Sequence, residues 1–256
     1  MNTMKMNLGK FLPPFFTGLL IIAALQAYTV LMDISSLLLP APFKVFAFVY
    51  DNFGLFARNS VVTINTILLG YGIGILLGII IGIMINASPL FRDATYPWLV
   101  ASQMIPVAAI APILILWCGF TIVPKVIVVT LICFFPVAVN TADGLRAVDE
   151  DMVRLLKSMG ASKAKILFSV RIPSALPHLF SGLRVAMALS VLGAVFGEWV
   201  GSCKGLGFLM LNYNNKLNTP GLFAAVLVLS VIGIFLFFMV GVVERIAVPW
   251  KSNSNL

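Results

Sequence analysis

Glu198 lies inside a stretch, Val185 to Gly201, that is otherwise free of charge. A carboxylate within a membrane span costs roughly 2.5–3.5 kcal/mol on insertion scales unless it faces protein or water. Such a group suits a gate, an ion-coupling site or the recognition of a polar substrate. Its structural alternative is a carboxylate at the end of a span that packs the Gly-rich turn after it. Gln103, Trp117 and Asn140 are further candidates to line a pathway, although each would equally serve by bonding a neighbouring helix or sitting at the membrane interface. The sole histidine, His178, has no second ligand beside it. Cys118, Cys133 and Cys203 lack metal or redox spacing, and an odd count does not close into internal disulfides. We expect no metal site. No histidine pair, no paired intramembrane carboxylates and no serine nucleophile with a nearby base are present, so catalysis is not expected either. There is also no G-x-x-x-x-G-K-[ST], the loop that cradles nucleotide phosphates. Energy for any pumping must therefore come from another chain or from an ion gradient.

These groups are carried by a chain of 256 residues in which 61% are hydrophobic and only 10% charged, too few charges for a soluble domain. Phe11 to Met32, Asn59 to Phe91, Ala94 to Pro124, Val126 to Ala142 and Leu217 to Val243 contain no charge at all. A helix needs about 20 apolar residues to cross the hydrocarbon core. With Val185 to Gly201 these stretches make six spans in an all-α integral membrane protein. The first is long and is closed by no small-x-small cleavage site, so we read it as a retained helix and not as a signal peptide. With six spans and both termini inside, the outer segments hold Lys44, Arg58, Lys125, Lys204 and Lys216, leaving twelve of the 17 basic residues inside, Lys5, Lys10 and Lys251 among them. Basic residues mark the cytoplasmic side. The net charge of +8 is thus a topology signal and not a mark of nucleic-acid binding.

Between the first two spans, FKVFAFVYDNF is apolar enough to lie along the interface as a short helix. Gly70, Gly74, Gly78 and Gly82 recur at four-residue spacing, which places them on one face where another helix can approach closely. The third span contains Pro106 and Pro112 and the fourth Pro136, so both are expected to kink. One charged segment, about Asn140 to Ser181, interrupts the apolar pattern on the cytoplasmic side. Asp149, Glu150 and Asp151 suit a helix start and Gly160 a helix end. Met152, Leu155, Leu156 and Met159 fall at i, i+3, i+4 and i+7, an apolar face. Ser162 is placed to cap a second helix, which Pro173 and Pro177 are expected to stop. Paired caps and a periodic face are more than a topology signal needs, so we expect a docking element for a cytoplasmic partner. We find no internal repeat and no second domain, and treat residues 1–256 as one transmembrane domain with 140–181 as its loop.

This segment resembles the cytoplasmic loop motif of ATP-binding-cassette (ABC) importer permeases, written EAA, three residues, G, nine residues, I-x-L-P. Gly160 takes the glycine position, and Val170-Arg171-Ile172-Pro173 a conservative version of the end, whereas Arg154-Leu155-Leu156 departs from E-A-A. ASQMIPVAAIAPILILWCGF, FFPVAVNTADGLRAVD, SGLRVA and GEWVGSCKGLGFLM resemble segments of the branch importing taurine, sulfonates, nitrate, thiamine precursors and riboflavin. The resemblance runs from about residue 55 to the C-terminus. It implies a type I importer permease acting as a homodimer in the bacterial inner membrane, with two ATPase subunits that hold ATP and Mg, and an extracytoplasmic substrate-binding protein. No cofactor on this chain is implied. The coupling contacts would involve Arg154, Leu155, Leu156, Gly160, Ala161, Ser162 and Lys163. In such permeases the glutamate at Glu198 accompanies the Gly205-Leu206-Gly207 turn whatever the substrate, which favours gating or structure over recognition. GLRAVDEDMVRLLKSMGAS and SVLGAVFGEWVGS resemble most the vitamin-precursor members, implying a flat nitrogen heterocycle, with an organosulfonate as runner-up. An ion-coupled secondary carrier using Glu198 is the alternative from another class.

Overall fold

The computed structural model describes residues 8–250, and every regular element among them is a helix. Lys5 and Lys251 lie outside the described residues, as do the side chains of Lys10 and Lys163. In chain order the helices are α1 (Leu8–Leu31), α2 (Pro42–Asp51), α3 (Phe53–Ala87), α4 (Pro89–Ser102), α5 (Val107–Cys118), α6 (Val123–Arg146), α7 (Glu150–Ser158), α8 (Lys163–Ile166), α9 (Ile172–Gly201), α10 (Leu206–Asn215) and α11 (Thr219–Ala247). A π-helical turn, Leu167–Arg171, joins α8 to α9.

The centre of the bundle is α6, held between two helices whose facing residues are small. On α3 the four glycines meet α6 in register. A Cβ on Gly74, Gly78 or Gly82 would stand 2.8, 2.7 and 2.6 Å from the Cβ atoms of Cys133, Val137 and Thr141, and one on Gly70 would overlap Val129. The glycine face is therefore a packing face, and its partner is α6. On the other side Gly182, Gly193 and Gly197 of α9 lie against Asn140, Val129 and Lys125, with Ala186 and Ser190 buried between them. Apolar burial does not drive helices together within lipid. Close backbone approach does, through dispersion and interhelical hydrogen bonds. One such bond runs from the Thr130 hydroxyl to the Gly70 carbonyl at 3.2 Å. The outward faces of α3 and α11 stay apolar and exposed, as with Leu69, Leu76, Ile234 and Phe235. That pattern fits lipid contact.

Four helical stretches are long and apolar enough to span: α3, α6, the run Ala164–Gly201 and α11. The α4–α5 pair, counted as one, makes a fifth; the remaining expected segment falls in α1, whose described apolar stretch Phe16–Leu31 is shorter than a span. Two expectations are corrected. The third span is not a kinked helix: α4 and α5 turn through 94° at Gln103–Pro106. Pro106 is extended at the N-cap of α5 and has no N–H to continue α4. Nor do Pro173 and Pro177 stop the loop's second helix. Ala164–Gly201 is one 38-residue helical run that carries both prolines. The π turn that ends at Arg171, two residues before Pro173, widens the spiral, relieving the clash a proline ring makes with the preceding turn. Pro136 likewise lies within α6.

Near the C-terminal end of α11, the Arg184 guanidinium on α9 pairs with the Glu244 carboxylate at 2.6 Å and lies over the Phe237 ring. One residue earlier, the Leu183 carbonyl accepts from the Tyr71 hydroxyl of α3 at 3.0 Å. These contacts fasten α11 and α3 to α9 at one level. Removing one partner of a buried pair strands the other charge, whereas removing both need cost little. We expect Glu244→Leu to lower the melting midpoint in detergent by several degrees, and the double variant R184L/E244L to recover most of that loss.

Candidate functional site

Two places on the molecule carry chemistry, one at each end of the Ala164–Gly201 run. At the near end, Asp149 caps α7 by accepting from the Asp151 N–H at 2.9 Å, and Glu150 and Asp151 lie in the first turn. Anionic groups there complement the positive end of the helix dipole. The helix closes in the Schellman pattern. The Gly160 N–H donates to Lys157 and the Ala161 N–H to Leu156, both at 3.0 Å, with Gly160 at φ 78°. Only glycine adopts that backbone without strain. The Ser162 hydroxyl then caps α8 by accepting from the Lys165 N–H at 3.3 Å. Arg154 reaches back to Glu150 at 3.5 Å and Asp151 at 3.7 Å, a solvated triad worth little on its own.

The expected apolar face does not turn into the protein. Met152, Leu155 and Met159 are 51%, 60% and 75% exposed, Leu156 is half-buried, and Val153 alone of α7 is buried. Three large apolar side chains on one face of a short, doubly capped helix form an unpartnered patch on an otherwise polar segment.

At the far end lies Glu198, with no exposed surface. Its Oε2 accepts from the Gly207 N–H at 2.7 Å and its Oε1 from the Thr63 hydroxyl at 2.8 Å. The Thr63 oxygen in turn accepts from the Leu206 N–H at 2.8 Å, and Asn59 Oδ1 from the Gly205 N–H at 2.7 Å. Three successive backbone donors at the start of α10 are thus matched to three side chains from α3 and α9. Helix N-termini leave such donors unsatisfied and carry partial positive charge, so a carboxylate is stabilised there by up to about 2 kcal/mol. This explains how an apolar span tolerates Glu198. Gly205, at φ 114°, lies so close to the Glu198 carboxylate that any side chain there would overlap it. Beside this cluster Lys125 runs past Gly197 and donates to the Ser202 hydroxyl at 2.7 Å, tethering the connection to α10. The body of α10 packs Leu206 and Leu209 against Phe56, Ala224 and Ala225. Farther along, Tyr213 lies against Gly221, and burial raises its phenol above the usual pKa.

The other pathway candidates are dispersed. Gln103 is exposed at the α4–α5 bend, Trp117 is exposed near the end of α5, and the Asn140 amide donates to the Pro136 carbonyl at 2.8 Å beneath Gly182. No group of three metal-binding side chains exists among the described residues. Sequence reasoning missed Asn59, Thr63 and Glu244. The first two are polar residues four apart in an apolar helix, in the same run that continues into the glycine face. Glu244 lies one position beyond the last uncharged stretch. It missed α10 as well, since Gly and Asn gave the segment the look of a loop.

The fold is that of a type I ABC importer permease. A solved inward-facing methionine ABC transporter, MetNI, matches it at a TM-score of 0.65 with 18% identity, over 76% of this chain and 97% of that one. Residues 74–247 match the model of the binding-protein-dependent transport system inner membrane component, and the chain belongs to that family. The formylaminopyrimidine transport permease protein ThiX of Halalkalibacterium halodurans is 38% identical over 218 residues, covering 85% of this chain and 87% of that protein. The riboflavin transport system permease protein RibX of Chloroflexus aurantiacus is 33% identical over 239 residues, covering 93% and 89%.

Proposed function

We propose that this chain forms the substrate pathway of an ATP-driven importer, as a homodimer in the bacterial inner membrane, multi-pass with both termini in the cytoplasm. Each copy seats the end of α7 on one of two ATPase subunits, and ATP and Mg belong to those subunits. A separate extracytoplasmic protein delivers the substrate. On this reading the chain is a transport subunit and not an enzyme. The observation that carries the proposal is the exposed Met152–Leu155–Met159 face on α7, ended by the Gly160 turn. Residues 140–181 act as the cytoplasmic coupling loop of a single transmembrane domain. Arg154, Leu155, Leu156, Gly160, Ala161, Ser162 and Lys163 make the ATPase contacts, with the departure from E-A-A setting which groove they fit.

The substrate class we assign is a flat nitrogen heterocycle, a thiamine pyrimidine precursor or riboflavin, with an organosulfonate such as taurine second. The sequence likeness to ThiX and RibX supports the first choice. Gln103, Trp117 and Asn140 line the pathway, where the exposed indole of Trp117 offers an aromatic face for stacking. Glu198 belongs to the gate and not to substrate contact, because every oxygen it presents is held by α3 or α10.

The test is uptake into proteoliposomes that contain the chain, its ATPase subunits and its binding protein. Uptake of formylaminopyrimidine or riboflavin should require ATP and disappear with a hydrolysis-dead ATPase, with taurine transported at least tenfold more slowly. Uptake by this chain alone on an ion gradient would make it a secondary carrier and end the proposal. Selective uptake of a metal ion, sugar or peptide would end the substrate assignment alone.

A further inference from the structure

We propose that Asn59, Thr63 and Glu198 are positioning residues for transport, forming a clasp that makes the outer helix α10 follow the motion of the ATPase-docking loop. This rests on the importer reading above. The first observation is where the caps come from. α4, α7 and α11 are capped by their own preceding residues, Ser88, Asp149 and Asn218. α10 has glycine at that position and no local cap. Its N–H groups go instead to Asn59 and Thr63, 146 and 143 positions away in the chain, and to Glu198 on α9. A local cap would satisfy the same donors without burying a carboxylate in a membrane span. The arrangement found ties the start of α10 to two other helices.

The second observation is what lies at the other end. Ala164–Gly201 is one helical run of 38 residues, about 57 Å at the usual helical rise. It begins just after the Gly160–Ser162 turn and carries Glu198 three residues before its end. Gly182, Gly193 and Gly197 key α9 to α6, and the four glycines of α3 key that helix to α6 from the other side. Interdigitated helices at this separation move as a unit. A push at the docking turn therefore reaches Glu198, Thr63 and Asn59 together, and through them α10. The clasp joins the outer element to that unit, so its loss separates ATP-driven motion inside from movement outside while leaving the unit intact.

The chain carries its own reporter, since Cys203 is exposed in the connection to α10 while Cys133 is buried. In a Cys118→Ser background, the complex with its ATPase subunits is placed in lipid nanodiscs. Labelling of Cys203 by a membrane-impermeant maleimide is then timed without nucleotide and after vanadate trapping with ATP. The wild-type rate should differ at least threefold between the two states. Thr63→Val keeps the shape of the side chain but removes the hydroxyl. It should raise nucleotide-free labelling about tenfold and abolish the response to trapping, with ATPase subunits still bound at wild-type stoichiometry. Thr63→Ser, which restores the hydroxyl, should recover the response. Asn59→Ala should act in the same direction, about threefold, and serves as the test if Thr63→Val does not assemble. A wild-type response in the variants overturns the clasp. So does a response that falls only in proportion to lost ATPase binding, which is what a merely structural role would give. A wild-type complex that binds ATPase subunits yet shows no response to trapping also overturns the clasp, whereas a chain that binds no ATPase subunits contradicts the importer reading itself.

Discussion

Gly78→Leu is expected to abolish the folded protein, whereas Gly72→Leu, six residues earlier on the same helix, is expected to leave it intact. A Cβ at Gly78 would stand 2.7 Å from the Val137 Cβ and 2.8 Å from the Phe134 carbonyl oxygen. The second contact decides the outcome. A side chain could turn aside, but a backbone carbonyl of α6 moves only if α6 moves, and α9 is locked to its other face. Overpacking costs about 1–3 kcal/mol where side chains can adjust, and more where helices must part. A Cβ at Gly72 meets nothing within 4 Å. Fluorescence-detected size exclusion of the two variants is the measurement. We expect less than a tenth of the wild-type monodisperse peak for G78L and a near-normal peak for G72L. Equal peaks would mean that the glycine face does not hold α3 to α6.

Gly160→Val is the second change of large effect, for a different physical reason. Nothing lies within 4 Å of a Cβ there, so no clash occurs. The obstacle is the backbone: φ is 78°, a conformation that a β-branched residue adopts only at a cost of about 1–3 kcal/mol. The turn between α7 and α8 should reshape, carrying Ala161 and Ser162 with it, while α3, α6, α9 and α11 remain packed. The expected result is a normal size-exclusion profile together with at least a tenfold loss of ATPase association. Gly160→Asn, which tolerates the left-handed region better, should lose less. Transport and ATPase association at wild-type level in G160V would remove the turn from the coupling contacts.

How much of this was legible beforehand depends on whether a feature is local. The long apolar helices α3, α6 and α11, the caps of α7 and the left-handed Gly160 all follow from residues within a few positions of one another. The glycine spacing on α3 was equally plain, but spacing on one helix does not name the helix opposite. Identifying α6 needed Val129, Cys133, Val137 and Thr141 to be seen in the same register. Reading Pro173 and Pro177 as helix stops fails because a proline shows only that a donor is missing. Pro106 does end a helix, whereas Pro173 follows a π turn that absorbs its ring. The clasp was half visible. Glu198 and the Gly205–Gly207 turn stand out in sequence, but their partners Asn59 and Thr63 are more than 130 residues distant. The apolar face of α7 was read correctly as a pattern, and its exposure could be known only from the fold.

The central claim is that α7 and its turn engage an ATPase. The direct measurement is to purify the tagged chain from its native membranes under mild detergent and assay the eluate for vanadate-sensitive ATP hydrolysis. We predict an ATPase subunit at one copy per permease chain, with hydrolysis that is lost from the eluate when Leu155 and Met159 are both changed to aspartate. An intact, monodisperse permease that brings down no ATPase, or one whose ATPase association is indifferent to those two substitutions, would contradict it.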